Sequence, residues 1–204
     1  MRLEAEAIRD QALAVSRRLD RQIGGPSVFP FQADGVMEGR SDKSRWIEDE
    51  TSAAQRRGLY VHFWRLTPHP YLTLFDAPDA NASCTRRQRS NMPMQALALL
   101  NHPWFTECAQ TLAVRLLGEA HKDDTQRLDS AYGVCLGRVP NHAERQTLMD
   151  LLMQQRQQFR NDTSRARTVT GQEDQHSDAE VIELAAWSTV ARTLLNLDEF
   201  ITRE

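Results

Sequence analysis

Apolar residues recur at helical spacing at both ends of the chain and lose that period between them. Ala5, Ile8, Ala12, Val15 and Leu19 stand three or four residues apart with charged residues between. That pattern predicts a helix over 3–23 with one apolar stripe. Nothing before Leu3 can cap it. An uncapped long helix leads us to expect a chain cut from a longer one, with Ile8, Val15 and Leu19 left exposed.

Residues 94–204 return to the helical period. A helix is expected from Pro93 or Met94 to about Leu100. Pro103, at a first-turn position, opens the next, striped by Phe105, Cys108, Leu112 and Leu116 and ended near Gly118. Leu128, Ala131, Tyr132 and Cys135 mark a third, closed near Gly137. Asn141 and Glu144 have capping-box spacing before Leu148, Leu151, Leu152 and Phe159. The stretch 160–177 is polar, basic first (Arg160, Arg165, Arg167) and acidic after (Glu173, Asp174), and reads as an exposed loop. Ser177 and Glu180 form a second box. The helix they open carries Val181, Leu184, Ala185, Trp187, Val190, Ala191, Leu194 and Leu195. Its apolar face is wide, which predicts a central position.

The middle, 24–93, holds five of the nine glycines and six of the eight prolines. It cannot be mainly helix. Leu59–Leu66 is aromatic and branched, hence a strand candidate with both faces covered. The rest is expected to lie as an irregular coat over other elements. The fold class that follows is mainly α. It is a bundle of about five or six helices in one domain, 1–204, with a long Gly/Pro-rich segment and at most a minor strand.

Composition narrows the functions. The chain has 204 residues, 40% hydrophobic and 26% charged, with formal charge −3. This is the balance of a globular chain and gives no reason to expect a nucleic-acid partner. No apolar run approaches the roughly 18 residues of a membrane helix. The opening Met1–Glu6 lacks the apolar core of a signal peptide. Cys84, Cys108 and Cys135 fall in no Cys-x-x-Cys and no haem-attachment motif. Cys108 and Cys135 lie on apolar stripes, as buried thiols do.

The densest polar cluster is 76–91. Asp76, Asp79, Asn81 and Ser83 offer oxygens at short spacing, but without the order of a calcium loop, so no metal is assigned. A Pro-fixed turn with carboxylates bonded to nearby N–H groups is the plainer reading. Arg86, Arg87 and Arg89 suit carboxylate, sulfate or phosphate groups, or the protein's own carboxylates. Since Pro78 and Pro93 anchor the span, we expect one of these arginines to pair with Asp76 or Asp79. His69 completes the candidate binding cluster. With His62 and His102 it could serve acid–base chemistry only if two histidines met the aspartates. Trp64 and Trp104 read either as core or as a platform for sugar rings.

A run of motifs in this region has a recognisable order. It comprises Thr67-Pro68-His69-Pro70, Phe75-Asp76-Ala77-Pro78-Asp79, Cys84, Arg86-Arg87, Arg89-Ser90-Asn91, Pro93, Gln95-Ala96-Leu97 and Leu99-Leu100-Asn101. Leu3 through Asp10, Gly24–Val28, Leu136–Pro140, Ala186-Trp187, Leu194–Asn196 and Glu199-Phe200 support it. Together they resemble the planctomycete-specific PSD domain of unknown function, the C-terminal domain of the large planctomycetal cytochrome-c-type proteins. The chain resembles only the C-terminal part of that domain. The resemblance implies a large exported multidomain parent, in the periplasm or outside the cell, with haem c only in a separate upstream domain. It implies no cofactor in this part and carries over no catalytic residues. Its partners would be the parent's upstream domains and a polysaccharide or another protein.

Two functions are therefore open. One is a non-catalytic scaffold or a module that binds a partner or glycan. The other is part of a polysaccharide-related enzyme whose site upstream domains complete. Convergence of Asp76, Asp79, Arg87 and His69 on a pocket would favour the enzyme. Their scattering or mutual pairing would favour the module.

Overall fold

The structure is a computed structural model that describes all residues except 33–35, 37–45, 51–52, 66, 121–122, 172–175 and 204. It is mainly α. The described residues form α1 (Ala5–Val15), α2 (Pro70–Leu74), α3 (Pro93–Asn101), α4 (Pro103–Gly118), α5 (Asp124–Leu136), α6 (His142–Asn161), α7 (Thr163–Thr170), α8 (Asp178–Leu195) and α9 (Asp198–Ile201). They include three isolated bridges and no sheet. Two compact units result: Met1–Ala98 with Ile201–Glu204, and Leu99–Phe200.

The Leu99–Phe200 unit is built around α8. The wide apolar face read from the sequence is real, and α8 packs against α4, α5, α6 and α7. Trp187, Val190, Ala191, Leu194 and Leu195 are fully buried. Facing them, Phe105, Cys108, Leu112 and Leu116 of α4 are equally closed to solvent. Both capping boxes form. Asn141 accepts from Glu144 N at 3.0 Å while Glu144 accepts from Asn141 N at 2.7 Å. Ser177 and Glu180 make the same exchange. Gly137 closes α5 at φ 74°, a left-handed position that suits glycine.

Charged staples hold the helices where apolar contact ends. Arg138 binds Glu144 and Glu199 at 2.6 and 2.7 Å. Its guanidinium holds the Glu144 carboxyl down at about 2, helped by the Asn141 N–H. Arg156 joins Asp124 of α5 to Glu183 of α8.

The expected loop 160–177 is partly helical. Asp162 accepts from Arg165 N at 3.0 Å and opens α7, and Gly171 at φ 66° closes it. Ala166 and Thr170 are its buried residues, and it leans on α8. Two buried positions in eight are too few to show as a period. Glu173 and Asp174, the acidic half of that stretch, lie outside the described residues.

In the other unit, α1 stops well short of residue 23. Ser16 Oγ donates to the Ala12 carbonyl at 2.7 Å, and Arg17 turns to φ 58°. Arg18 N and Leu19 N then both donate to the Leu13 carbonyl. The chain leaves the helix there, so Leu19 shares the stripe's spacing but not its helix. Nor is the stripe exposed: Ile8, Ala12, Leu13 and Val15 are buried.

The described parts of the Gly/Pro-rich segment are largely irregular, and arginines fasten them. Arg9, buried at 3% exposure, donates to the carbonyls of Ala54 and Arg56. Asp10 accepts from Gly58 N at 2.6 Å. Gly58 passes so close to α1 that a Cβ there would lie 2.9 Å from Glu6 Cα. Arg56 donates to the carbonyls of Pro26 and Gly24 and lies 3.8 Å from the Tyr60 ring. The strand expected over Leu59–Leu66 reduces to a 3-10 turn, Gly58–Tyr60, and one bridge from Val61 to Val28. Leu66 lies outside the described residues. The branched side chains serve packing without a ladder, because Val28 bonds only to the Tyr60 carbonyl and the His62 N–H among the described residues, while Val61 N turns back to the Gly58 carbonyl.

Trp187→Ala should lower stability by about 3–5 kcal/mol, since it empties the centre of α8. Urea melts of the two proteins would measure it. A change below about 1 kcal/mol would mean that this core is not the source of the unit's stability.

Candidate functional site

Pro70 starts α2, and Phe75 ends it. Asp76 follows at φ 62°, so its carboxylate points back toward the chain's beginning instead of outward. There it meets Arg2, whose side chain is only 8% exposed. Arg2 also donates to the carbonyls of Phe75 at 3.2 Å and of Ser90. Asp76 accepts from Ser90 N at 2.8 Å and from Ser90 Oγ at 3.0 Å. Gln95, buried in α3's first turn, donates to the Leu74 carbonyl at 2.9 Å and to Ser90 Oγ at 3.1 Å. Its Oε1 accepts from Met92 N at 3.3 Å. These four side chains tie the start of the chain, the end of α2 and the start of α3 together.

The electrostatics follow from that node. Burial raises the Asp76 carboxyl, but the Ser90 and Arg2 hydrogen bonds outweigh it and hold the group below the usual carboxylate range. Asp79 is held low by the Asn81 N–H and side-chain amide, each at 3.0 Å. That is the Asx turn read from the sequence. Asn81 in turn accepts from Arg65 at 3.0 Å.

The expected pairing of an arginine of the cluster with Asp76 or Asp79 does not form. Arg2, 74 positions away in the chain, already occupies Asp76, and Asn81 occupies Asp79. Arg87 instead bridges Glu4 and Glu6 of the N-terminal segment at 3.0 and 2.8 Å, and its pKa is raised, chiefly by Glu6. Arg89 reaches Glu4 at 3.5 Å. Arg86 is exposed and forms no ion pair among the described residues.

The structure thus brings five of the six predicted residues onto one stretch of surface. Asp76, Asp79, Arg86 and Arg87 line a groove of about 540 Å³. Arg86, Arg87 and Arg89 line a second, of about 860 Å³, with Glu4. His69 is not part of either. It is buried, with Nε2 3.0 Å from the Phe31 carbonyl and its ring beside Trp46. His62 stacks on Phe29 at 4.6 Å, and His102 caps α4 through Trp104 N. Trp64 packs near His62, and Trp104 against Phe105. Among the described residues no cluster of three or more His, Cys, Asp or Glu could hold a metal ion. Cys108 and Cys135 are buried as expected, and burial pushes the Cys135 thiol up to about 12.

Sequence reasoning missed Arg2, Glu4, Glu6, Ser90 and Gln95 as members of the site. Four of them, all but Arg2, lie inside the motif pieces Leu3–Asp10, Arg89–Asn91 and Gln95–Leu97, so co-occurrence of those pieces was the available signal.

Asp76→Asn should leave the Arg2 charge unpaired and cost about 3 kcal/mol at pH 7. The native carboxyl titrates below its unfolded value of about 3.9. Its contribution is therefore complete above that pH and is lost as pH falls through the lower folded value. Urea midpoints between pH 7 and pH 3 should fall less in the variant than in the native chain. Parallel pH profiles would contradict the role given to this carboxylate.

No curated protein and no solved structure matches the chain. A family model described as a protein of unknown function (DUF1553), PSD1, matches residues 1–152, which include the whole node and both grooves. The motif pieces from Ala186 to Phe200 lie beyond the matched part. With three quarters of its length matched in order, the chain belongs to the PSD1 family of proteins of unknown function.

Proposed function

We propose that this chain is a non-catalytic interaction module of a larger exported bacterial protein, and that its binding surface is the arginine-lined pair of grooves. The observation that carries this reading is the commitment of the polar side chains. Asp76 is saturated by Arg2 and Ser90, Asp79 by Asn81, and Arg87 by Glu4 and Glu6. A general acid or base must be able to exchange a proton with a substrate. Carboxylates locked in charge-assisted bonds hold a shape instead. Arg86 alone of the cluster is exposed without a protein partner among the described residues, and a guanidinium fork is suited to carboxylate or sulfate.

The enzyme reading keeps one observation in its favour, the shared groove of Asp76, Asp79, Arg86 and Arg87. It requires that substrate or an upstream domain displace Arg2 or Asn81 from the aspartates.

Profiling the full-length parent and this chain against sulfated and unsulfated polysaccharides separates the two. The module reading expects no cleavage. It expects retention of an anionic probe such as dextran sulfate over neutral dextran, and Arg86→Ala should lose that retention with an unchanged melting temperature. Chain cleavage that Asp79→Asn abolishes would overturn it.

A further inference from the structure

The stretch between Asp79 and Ser90 has a property that the ion pairs do not account for. Not one backbone N–H or carbonyl of residues 82–89 has a hydrogen-bond partner among the described residues. The segment is nonetheless held at both ends, by the Asn81–Asp79 turn and by Ser90 in the buried node. Seven of its eight residues are exposed, Arg87 being the exception. The chain bends at Ala82, Thr85 and Arg86 and runs without a bend from Arg87 to Arg89, where Arg87 and Arg89 both reach Glu4. Two grooves adjoin the segment, each lined by Arg86, Arg87 and Gln88.

An exposed segment fixed at both ends, with its main chain unpaired, is what a second strand can add to, here along the unbent run 87–89. We propose that residues 82–89 form a docking strap for an acidic peptide segment of a partner protein, which pairs with the strap's main chain while its carboxylates meet Arg86. The inference rests on the reading of this chain as an interaction module. A peptide is favoured over an anionic glycan because the strap leaves carbonyls unpaired as well as N–H groups. A polypeptide backbone supplies both complements at strand spacing. Acidity is favoured because Glu4 and Glu6 are already neutralised by Arg87 and Arg89, leaving Arg86 as the uncompensated charge.

Fluorescence anisotropy with a labelled hexapeptide of alternating Glu and Val tests this on the full chain. Two further probes are the same peptide N-methylated at alternate residues, and dextran sulfate as competitor. The expected result is saturable binding of the hexapeptide, loss of binding on N-methylation, and about tenfold weakening by Arg86→Ala. Equal binding of the methylated peptide would overturn main-chain pairing. Binding of dextran sulfate without the hexapeptide would overturn the peptide inference and leave the interaction module standing. Binding of neither probe would overturn the strap, and a cleavage assay on the same sample would then decide the module reading separately.

Discussion

The bond from Arg2 to Asp76 is the constraint on which the candidate site depends. It joins residues 74 positions apart in the chain and places both in low exposure. Its cost is Asp76 at φ 62°, a conformation that most side chains avoid. Three donors on one carboxylate offset that cost and fix the turn after α2. Once that turn is fixed, Ser90 is fixed, and with it the far end of the strap. Gln95 relays the same order into the first turn of α3. Arg2 itself is braced by Leu3 N on the Ile201 carbonyl at 2.7 Å and by Arg203 N on the Met1 carbonyl at 2.8 Å.

This unit solves a packing problem with arginine. A segment rich in glycine and proline cannot be mainly helix, and its described residues before α3 form one short α-helix, α2, and no ladder. Arg2, Arg9 and Arg56 reach into it and donate to its carbonyls, which would otherwise lack partners. The same residue type then has two roles along the chain. Where the guanidinium is buried it satisfies backbone carbonyls. Where it is exposed, at Arg86, it faces solvent.

The helices were legible where chemistry is local. Proline at the start, a capping box within four residues and an apolar stripe mark α4, α6 and α8, and each forms as read. The end of α1 was not legible, because Leu19 continues the period of a helix that Ser16 and Arg17 have already ended. The helix α7 was hidden by its polarity. In the site, the sequence placed the right residues on one surface but chose the wrong partners. Asp79 with Asn81 is a two-residue contact and could be read. Asp76 with Arg2, and Arg87 with Glu4 and Glu6, span more than 70 positions, and no spacing rule reaches that far. His69 is close to them in sequence, yet the Phe31 carbonyl and the Trp46 ring claim it.

The central claim is that the strap is fixed at its ends by the node and free between them. Residue-resolved amide hydrogen exchange of the native chain measures this directly. The account expects protected amides at Asp76, Ala77 and Ser90, which donate to Thr73, Leu72 and Asp76 respectively, and near-intrinsic exchange from Ala82 through Arg89. A Ser90 amide that exchanges as fast as its neighbours, or protection running through 82–89, would contradict it.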